Sequence, residues 1–284
     1  MAKVRWVVMT LMGACASGGP PSVTSTPGSN AALAYRMPSS NPLTYETGDT
    51  MAISMNMGGM NVDVAIHASA TMQLDFANTG SGLNATLTYL VLSGAFTNSM
   101  GPSVTIGEGD KPGPATVSIS PSGKVTVVNR PAQIAATVRQ VLGSESIYQR
   151  LFTRLPGRAV SAGESWVDTL SVNDEAEGMT TSNTMILRST LAGDTTVGGR
   201  SLKLIRTEGT TETNVSGNVS GIDLRQALTG TISATSLWDT TRGVLIERKE
   251  YTTSSGTMDM PAMNMTGIPV SSRSQSTLRL RETR

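Results

Sequence analysis

Methionine is the residue type here with the most distinctive chemistry available to it. The chain has sixteen, and two runs hold eight of them: Met51, Met55, Met57 and Met60, then Met258, Met260, Met263 and Met265. The second run reads Met-x-Met-x-x-Met-x-Met around a Pro261-Ala262 turn. Thioether sulfur is a soft ligand that suits Cu(I). Two to four sulfurs converging at that turn would make a Cu(I)-handling protein. The plainer reading is that flexible methionines fill irregular core or rim positions at hairpin tips; a third is that the tips touch lipid. The filling role is preferred, because the first run fits a core register and no second histidine supports a metal.

Other chemistry-bearing residues are sparse. His67 is the only histidine and falls on the polar face of a strand. No Gly-x-Ser-x-Gly elbow exists to present a nucleophilic serine. Zinc ligands are lacking. Asp63 and Asp75 share a polar face twelve residues apart and read as solvated. Asp174-Glu175-Ala176-Glu177 reads as a turn-like acidic patch, not a calcium loop. The expectation is a protein that is not an enzyme and needs no cofactor. With Lys+Arg 22 against Asp+Glu 21, the net charge is +1, so no basic excess points to nucleic acid.

Cys15 is the single cysteine. Before it come Lys3 and Arg5, then the short apolar run Trp6–Met12, then Gly13-Ala14. A basic start, an apolar stretch too short to span a bilayer and small residues before a cut site make a signal peptide. Leu11-Met12-Gly13-Ala14-Cys15 resembles the bacterial lipobox, which implies cleavage after residue 14 and lipidation of Cys15. Ala16 follows, and by resemblance to lipoprotein sorting in Gram-negative bacteria this favours the periplasmic face of the outer membrane. An exported chain with one cysteine has no internal disulfide, so its fold must rest on buried area. Residues 1–14 are thus read as signal peptide and 15–34 as a lipidated cysteine with a flexible Pro/Gly/Ser/Thr tether. Residues 35–284 are read as a single β-rich domain.

The elements of that domain follow from alternation. Ser and Thr make up about a quarter of the chain and aromatics only 4%, which favours strands and turns. From Asn61 to Phe76 every even position is apolar: Val62, Val64, Ile66, Ala68, Ala70, Met72, Leu74 and Phe76. The odd positions are mostly polar, so one face is buried and one is wet. Met51, Ile53, Met55 and Met57 alternate just before, and Gly58-Gly59 lies between the runs. A Gly-Gly loop predicts a tight hairpin pairing Met57 with Met60, Met55 with Val62, Ile53 with Val64 and Met51 with Ile66. All these side chains then share one face.

Further strands are expected at Leu83–Val91, at Val117–Ile119 with Val125–Val127 around Pro121-Ser122-Gly123-Lys124, and from Trp166 onward. Residues 97–114 read as a Gly/Pro-rich loop and 193–199 as a turn. Later strands are expected over 201–214, 229–238, 243–258 and 265–282. Helical spacing occurs only near 131–154, as a short mid-chain pair. The predicted class is mainly β: long antiparallel strands forming a half-barrel or barrel-like sheet.

The helical pair ending Arg154-Leu155-Pro156-Gly157 is followed by Gly163-Glu164-Ser165-Trp166, then Trp238-Asp239 and Gly243-Val244-Leu245-Ile246. This arrangement resembles a family of uncharacterised bacterial lipoproteins. More distantly, it is similar to half-barrel lipid and lipoprotein carriers of the LolA and LppX kind. The resemblance implies an incomplete barrel whose apolar face holds an acyl chain or other hydrophobic ligand.

The residues allow that role. Some ten long one-faced strands need cover, and few helical residues supply it, so the sheet closes or leaves a ligand face. The candidate lining is Met51, Ile53, Met55, Met57 and the even positions Val62 to Phe76. If it lines a groove, a carboxylate at Ala68 or Ala70 should hurt binding more than folding. The expected role is a membrane-tethered periplasmic lipoprotein that binds or carries a lipid or other hydrophobic molecule. The alternatives are a non-catalytic structural or interaction protein of the envelope, and the Cu(I)-handling protein above.

Overall fold

The computed structural model describes residues 31–281, apart from 81, 102, 132–133, 136–137, 139–145, 177 and 220–221. In chain order the strands are β1 (Ala31–Leu33), β2 (Leu43–Met57), β3 (Met60–Thr79), β4 (Gly82–Asn98), β5 (Val104–Ile106), β6 (Ala115–Ile119) and β7 (Val125–Asn129). After α1 (Ser146–Arg150) come β8 (Arg158–Val160), β9 (Ser165–Ala176), β10 (Met179–Val197), β11 (Arg200–Val219), β12 (Ile222–Asp239), β13 (Val244–Met260) and β14 (Met265–Arg281). Short 3₁₀ turns occupy Glu108–Asp110 and Pro261–Met263.

Twelve strands form one antiparallel sheet in the order β7-β6-β4-β3-β2-β14-β13-β12-β11-β10-β9, with β5 also on β4. The first long strand therefore pairs with the last, β2 with β14, in the middle of the sheet. The outer strands β7 and β9 do not meet, so the sheet is open and not a closed barrel. β3 and β11 have 20 residues each, or about 65 Å of strand. The mainly β expectation holds.

Hairpin geometry explains the register. Gly58 and Gly59 have φ of 61° and 94°, and Gly198 and Gly199 of 57° and 77°. Two consecutive positive φ values make the tight turn whose twist matches its flanking strands, and glycine takes them without strain. The β2–β3 ladder runs Met57↔Met60, Met55↔Val62, Ile53↔Val64 and Met51↔Ile66, as the sequence predicts. Between β12 and β13, the Asp239 carboxylate accepts from the backbone N–H of Thr241 and Arg242 at 2.9 and 3.0 Å. That Asx-type contact closes the Trp238–Gly243 turn.

Several local expectations need correction. Val91 is not on the inner face. Opposite Thr71 and Met72, β4 carries an extra residue, Leu90, which turns Val91 outward and Leu92 inward. Val91 is 50% exposed and Leu92 1%; a bulge reverses alternation in this way. Residues 193–199 are not all turn: β10 continues through a bulge at Leu191/Gly193 to Val197. β9 likewise extends through 174–176 in place of a turn. The 97–114 stretch contains β5 and a 3₁₀ turn. Folded structure begins inside the stretch 15–34, because Ala31–Leu33 pair with β8 and Leu33 is fully buried. Of the helical pair, α1 is described, most of 132–145 lies outside the described residues, and 151–155 is not helical.

The core is uneven along the strands. At one end the inward side chains of β3, β4 and β6 join those of β10, β11 and β12 in a single cluster. Tyr148, Leu151, Phe152, Leu155, Val160 and Leu33 complete it as cover. Trp238 is fully buried there, with the Tyr35 ring edge-on at 4.9 Å and Phe152 edge-on to Tyr35 at 5.7 Å. Arg154 braces the cover: it donates to the Gly123 carbonyl at 2.9 Å and pairs with Asp168 at 3.2 Å. Toward the other end the core splits into two separate clusters, one on β9, β10 and β12, the other on β2, β12, β13 and β14.

Candidate functional site

Register and alternation together map the inward face row by row. One row crosses Ala68, Asp49, Ser276, Glu250, Ala234, Thr207, Ser189 and Trp166. The next runs Ile66, Met51, Ser274, Thr252, Ile232, Gly209 and Leu187, and the next Val64, Ile53, Ser272, Ser254, Gly230, Thr211 and Met185. Down the middle, on β12 to β14, small side chains (Ser274, Ser272, Ser254, Gly230 and Gly256) surround Thr252 and the buried Ile232. Large apolar ones flank them, with Met51, Ile53, Met55, Val62 and Val64 on one side and Leu187, Met185 and Leu170 on the other. The result is a channel with a low floor and apolar walls.

The floor is low for a steric reason. A Cβ at Gly209, Gly230 or Gly256 would collide with the carbonyl oxygens of Ile186, Thr253 and Ala227 respectively. These three glycines step diagonally over adjacent strands and let the sheet coil tightly, as glycine kinks do. Nearer the hairpin tips the floor turns apolar. Met258, Met260, Ile268 and Val270 are buried there, with Ile53, Met55, Met57, Leu224, Leu228 and Met265 half-buried against them.

At the covered end of the channel stands a charge cluster. Arg150 of α1 donates to Glu250 at 3.1 Å. Arg248, two residues back on β13, has its Nε 4.0 Å from the other oxygen of Glu250. Burial pushes the Glu250 carboxyl up, but the guanidiniums of Arg248 and Arg150 outweigh it and hold the carboxyl below the usual range. Neighbouring hydroxyls pair off: Ser189 with Thr207 at 2.8 Å, Thr153 with Ser236 at 3.4 Å.

The predicted lining is divided by this arrangement. Ala68, Ala70, Met72, Leu74 and Phe76 are buried in the main core. Met72, Leu74 and Phe76 also line a small cavity of only about 20 Å³, with Leu43, Tyr45 and Phe152, about the room one water needs. A carboxylate at Ala68 or Ala70 would therefore act on folding. Val62 and Val64 are buried farther along, while Met51, Ile53, Met55, Met57 and Ile66 are half-buried. Of this second group, Ile66 packs against the main core, and the others lie toward the channel's open part. Cys15 lies outside the described residues.

Of the methionine run, Met258 and Met260 are buried and Met260 pairs with Met265. Met258, Met260 and Met265 share one apolar cluster with Met55 and Met57, while Met263 is 48% exposed on its 3₁₀ turn. Among the described residues, no group of three or more His, Cys, Asp or Glu could hold a metal ion. His67 lies on the outer face, in a shallow trough of about 570 Å³ with Thr50, Ser69, Ser93, Gln275 and Thr277. A second outer trough, about 740 Å³, is lined by Ser54, Thr229, Thr231, Thr253, Ser255, Ser271 and Arg273 among others.

The residues that sequence reasoning missed are Arg150, Arg248 and Glu250. Their signal is weak: Glu247-Arg248-Lys249-Glu250 puts charge on both faces of a strand, and alternation alone does not say which pair turns inward.

No protein-family model matches the chain, and no curated protein matches it. Among solved structures, a Bacteroides fragilis protein described as exported, with a YmcC-like fold, aligns at 8% identity and a TM-score of 0.26, covering 88% of this chain and 100% of that one. A DUF1329 family protein from Desulfovibrio piger aligns at 9% identity and a TM-score of 0.18, covering 84% and 86%. At these scores the likeness says nothing of the chain's role. The expected similarity to LolA and LppX carriers is not shown by these comparisons.

Proposed function

We propose that this chain is an exported, membrane-tethered protein that binds or carries a lipid or other hydrophobic molecule on the inward face of its open sheet, without catalysing a reaction. One observation carries the reading. The inward face is covered near α1, whereas beyond it Met51, Ile53, Met55, Met57, Leu224 and Leu228 are only half-buried, most of them against Met258, Met260, Ile268 and Val270. An uncovered apolar channel is costly in water unless something fills it, and methionine-rich walls adapt to variable chains. The tether comes from the signal-like residues 1–14 and the lone Cys15.

Native mass spectrometry of the purified chain tests the binding role. Copurified lipid, or uptake of a fluorescent fatty acid after delipidation, is the expected result; neither would remove the proposal. Cys15→Ser should lose palmitate labelling and detergent partitioning; unchanged labelling would remove the anchor. A structural or interaction protein of the envelope is the second reading. Val167 and Ile186, 64% and 51% exposed, favour it, because they lie diagonally together on the outer face beside the open edge of β9.

A further inference from the structure

We infer that the channel takes an amphiphile with an anionic head, a carboxylate or phosphate monoester, docked on Arg248 beneath α1 with its chain running along β13 toward the methionine cluster. This rests on the binding role proposed above and adds the chemistry of the ligand. Arg248 is 8% exposed. Among the described residues its guanidinium donates no hydrogen bond, and the nearest carboxylate oxygen, on Glu250, is at 4.0 Å, beyond hydrogen-bond reach. Buried guanidinium groups are normally satisfied through several of their five donors.

Glu250 is engaged by Arg150 at 3.1 Å, so one carboxylate serves two guanidiniums. Asp49 is in the same row as Glu250 but two strands away, about 10 Å at ordinary strand spacing. The open fork of Arg248 therefore matches an incoming carboxylate or phosphate, which it can hold bidentately.

The channel supplies the rest of the ligand's chemistry. It starts at this cation and ends among buried methionines. From Arg248 to Met258 is ten residues of strand, about 33 Å. A bilayer core of about 30 Å holds two chains end to end, so one chain has ample room. The head group would take its hydrogen bonds from the Arg248 fork, while the chain displaces water along the apolar walls.

Calorimetric titration of the delipidated full chain with laurate, dodecyl phosphate and dodecanol tests this, with acetate and inorganic phosphate as head groups alone. The acid and the phosphate should bind about tenfold or more tighter than the alcohol. Arg248→Gln should bring them to the alcohol's affinity and leave the alcohol unchanged, and Arg248→Lys should restore part of the preference. Should Arg248→Gln fail to fold, Arg150→Gln, at the more exposed end of the cluster, is expected to narrow the preference by a smaller factor. Equal binding of acid and alcohol by the wild type would overturn the head-group inference and leave the binding role standing. Binding of none of the three would overturn both. Binding of free phosphate as tight as dodecyl phosphate would mark a small-anion site and overturn the amphiphile.

Discussion

The two ends of the same strands differ in what lies above them. Near Trp238 the inward face is roofed by Tyr148, Phe152, Leu155 and Leu33, and side chains from both halves of the sheet meet in one cluster. Twenty or more ångströms along the strands, the same alternation continues but the core divides in two. An apolar stripe thus states that a face avoids water. It does not state whether protein or ligand does the covering. β2 shows both outcomes in one strand, with Tyr45 buried in the roofed core and Ile53 half-buried in the separate cluster farther along.

Paired substitutions should break or sharpen that contrast. The largest effect is expected from a buried charge: Ala70→Asp puts an unpaired carboxylate into the roofed core and should cost several kcal/mol, leaving little folded protein by circular dichroism. Ile53→Asp, on the channel wall, should fold with water beside it and lose the fatty-acid probe. If both unfold, the wall is packed shut and the channel does not exist.

Truncations come next. Met72→Ala is expected to cost about 2–5 kcal/mol by the usual loss of a buried large side chain. Met55→Ala, half-buried at the open end, should cost under about 1 kcal/mol. Urea midpoints for the two variants measure the difference; equal losses would mean the open end is as tightly packed as the roofed one.

A smaller, pH-dependent effect belongs to the boundary between the regions. The Glu250 carboxyl is held below its usual range by Arg248 and Arg150, against the upward push of burial. A depressed folded value adds stability above the unfolded value, and that stability is lost as pH falls through the folded one. Glu250→Gln should therefore be less stable than wild type at neutral pH, with the gap shrinking on acidification. A gap that stays constant from neutral pH to about pH 3 would show that the pairing contributes nothing.

The smallest expected effect concerns metal. Met260→Ala plus Met263→Ala should leave Cu(I) binding unchanged in a competition titration, since Met260 is buried and Met263 stands 48% exposed. A tight stoichiometric site lost in that double variant would favour the Cu(I) reading.

Much was determined by the sequence alone, because strand periodicity and tight-turn chemistry are local. The run Val62 to Phe76, the partner run Met51 to Met57 and the glycines between them leave one register that keeps every large apolar side chain on one face. The β6–β7 hairpin and the Trp238–Gly243 turn are legible for the same reason. Tertiary structure decided three further things. Leu90 became a bulge and reversed Val91, which depends on how β3 and β4 bend against each other. Gly209, Gly230 and Gly256 line up only once β11, β12 and β13 are side by side, and their steric need for close approach coils the sheet. Arg248 turned inward beneath α1, with the Glu250 carboxylate 4.0 Å from its Nε. Each of these depends on contacts between residues far apart in the chain, and alternation within one strand carries no information about what is packed over it.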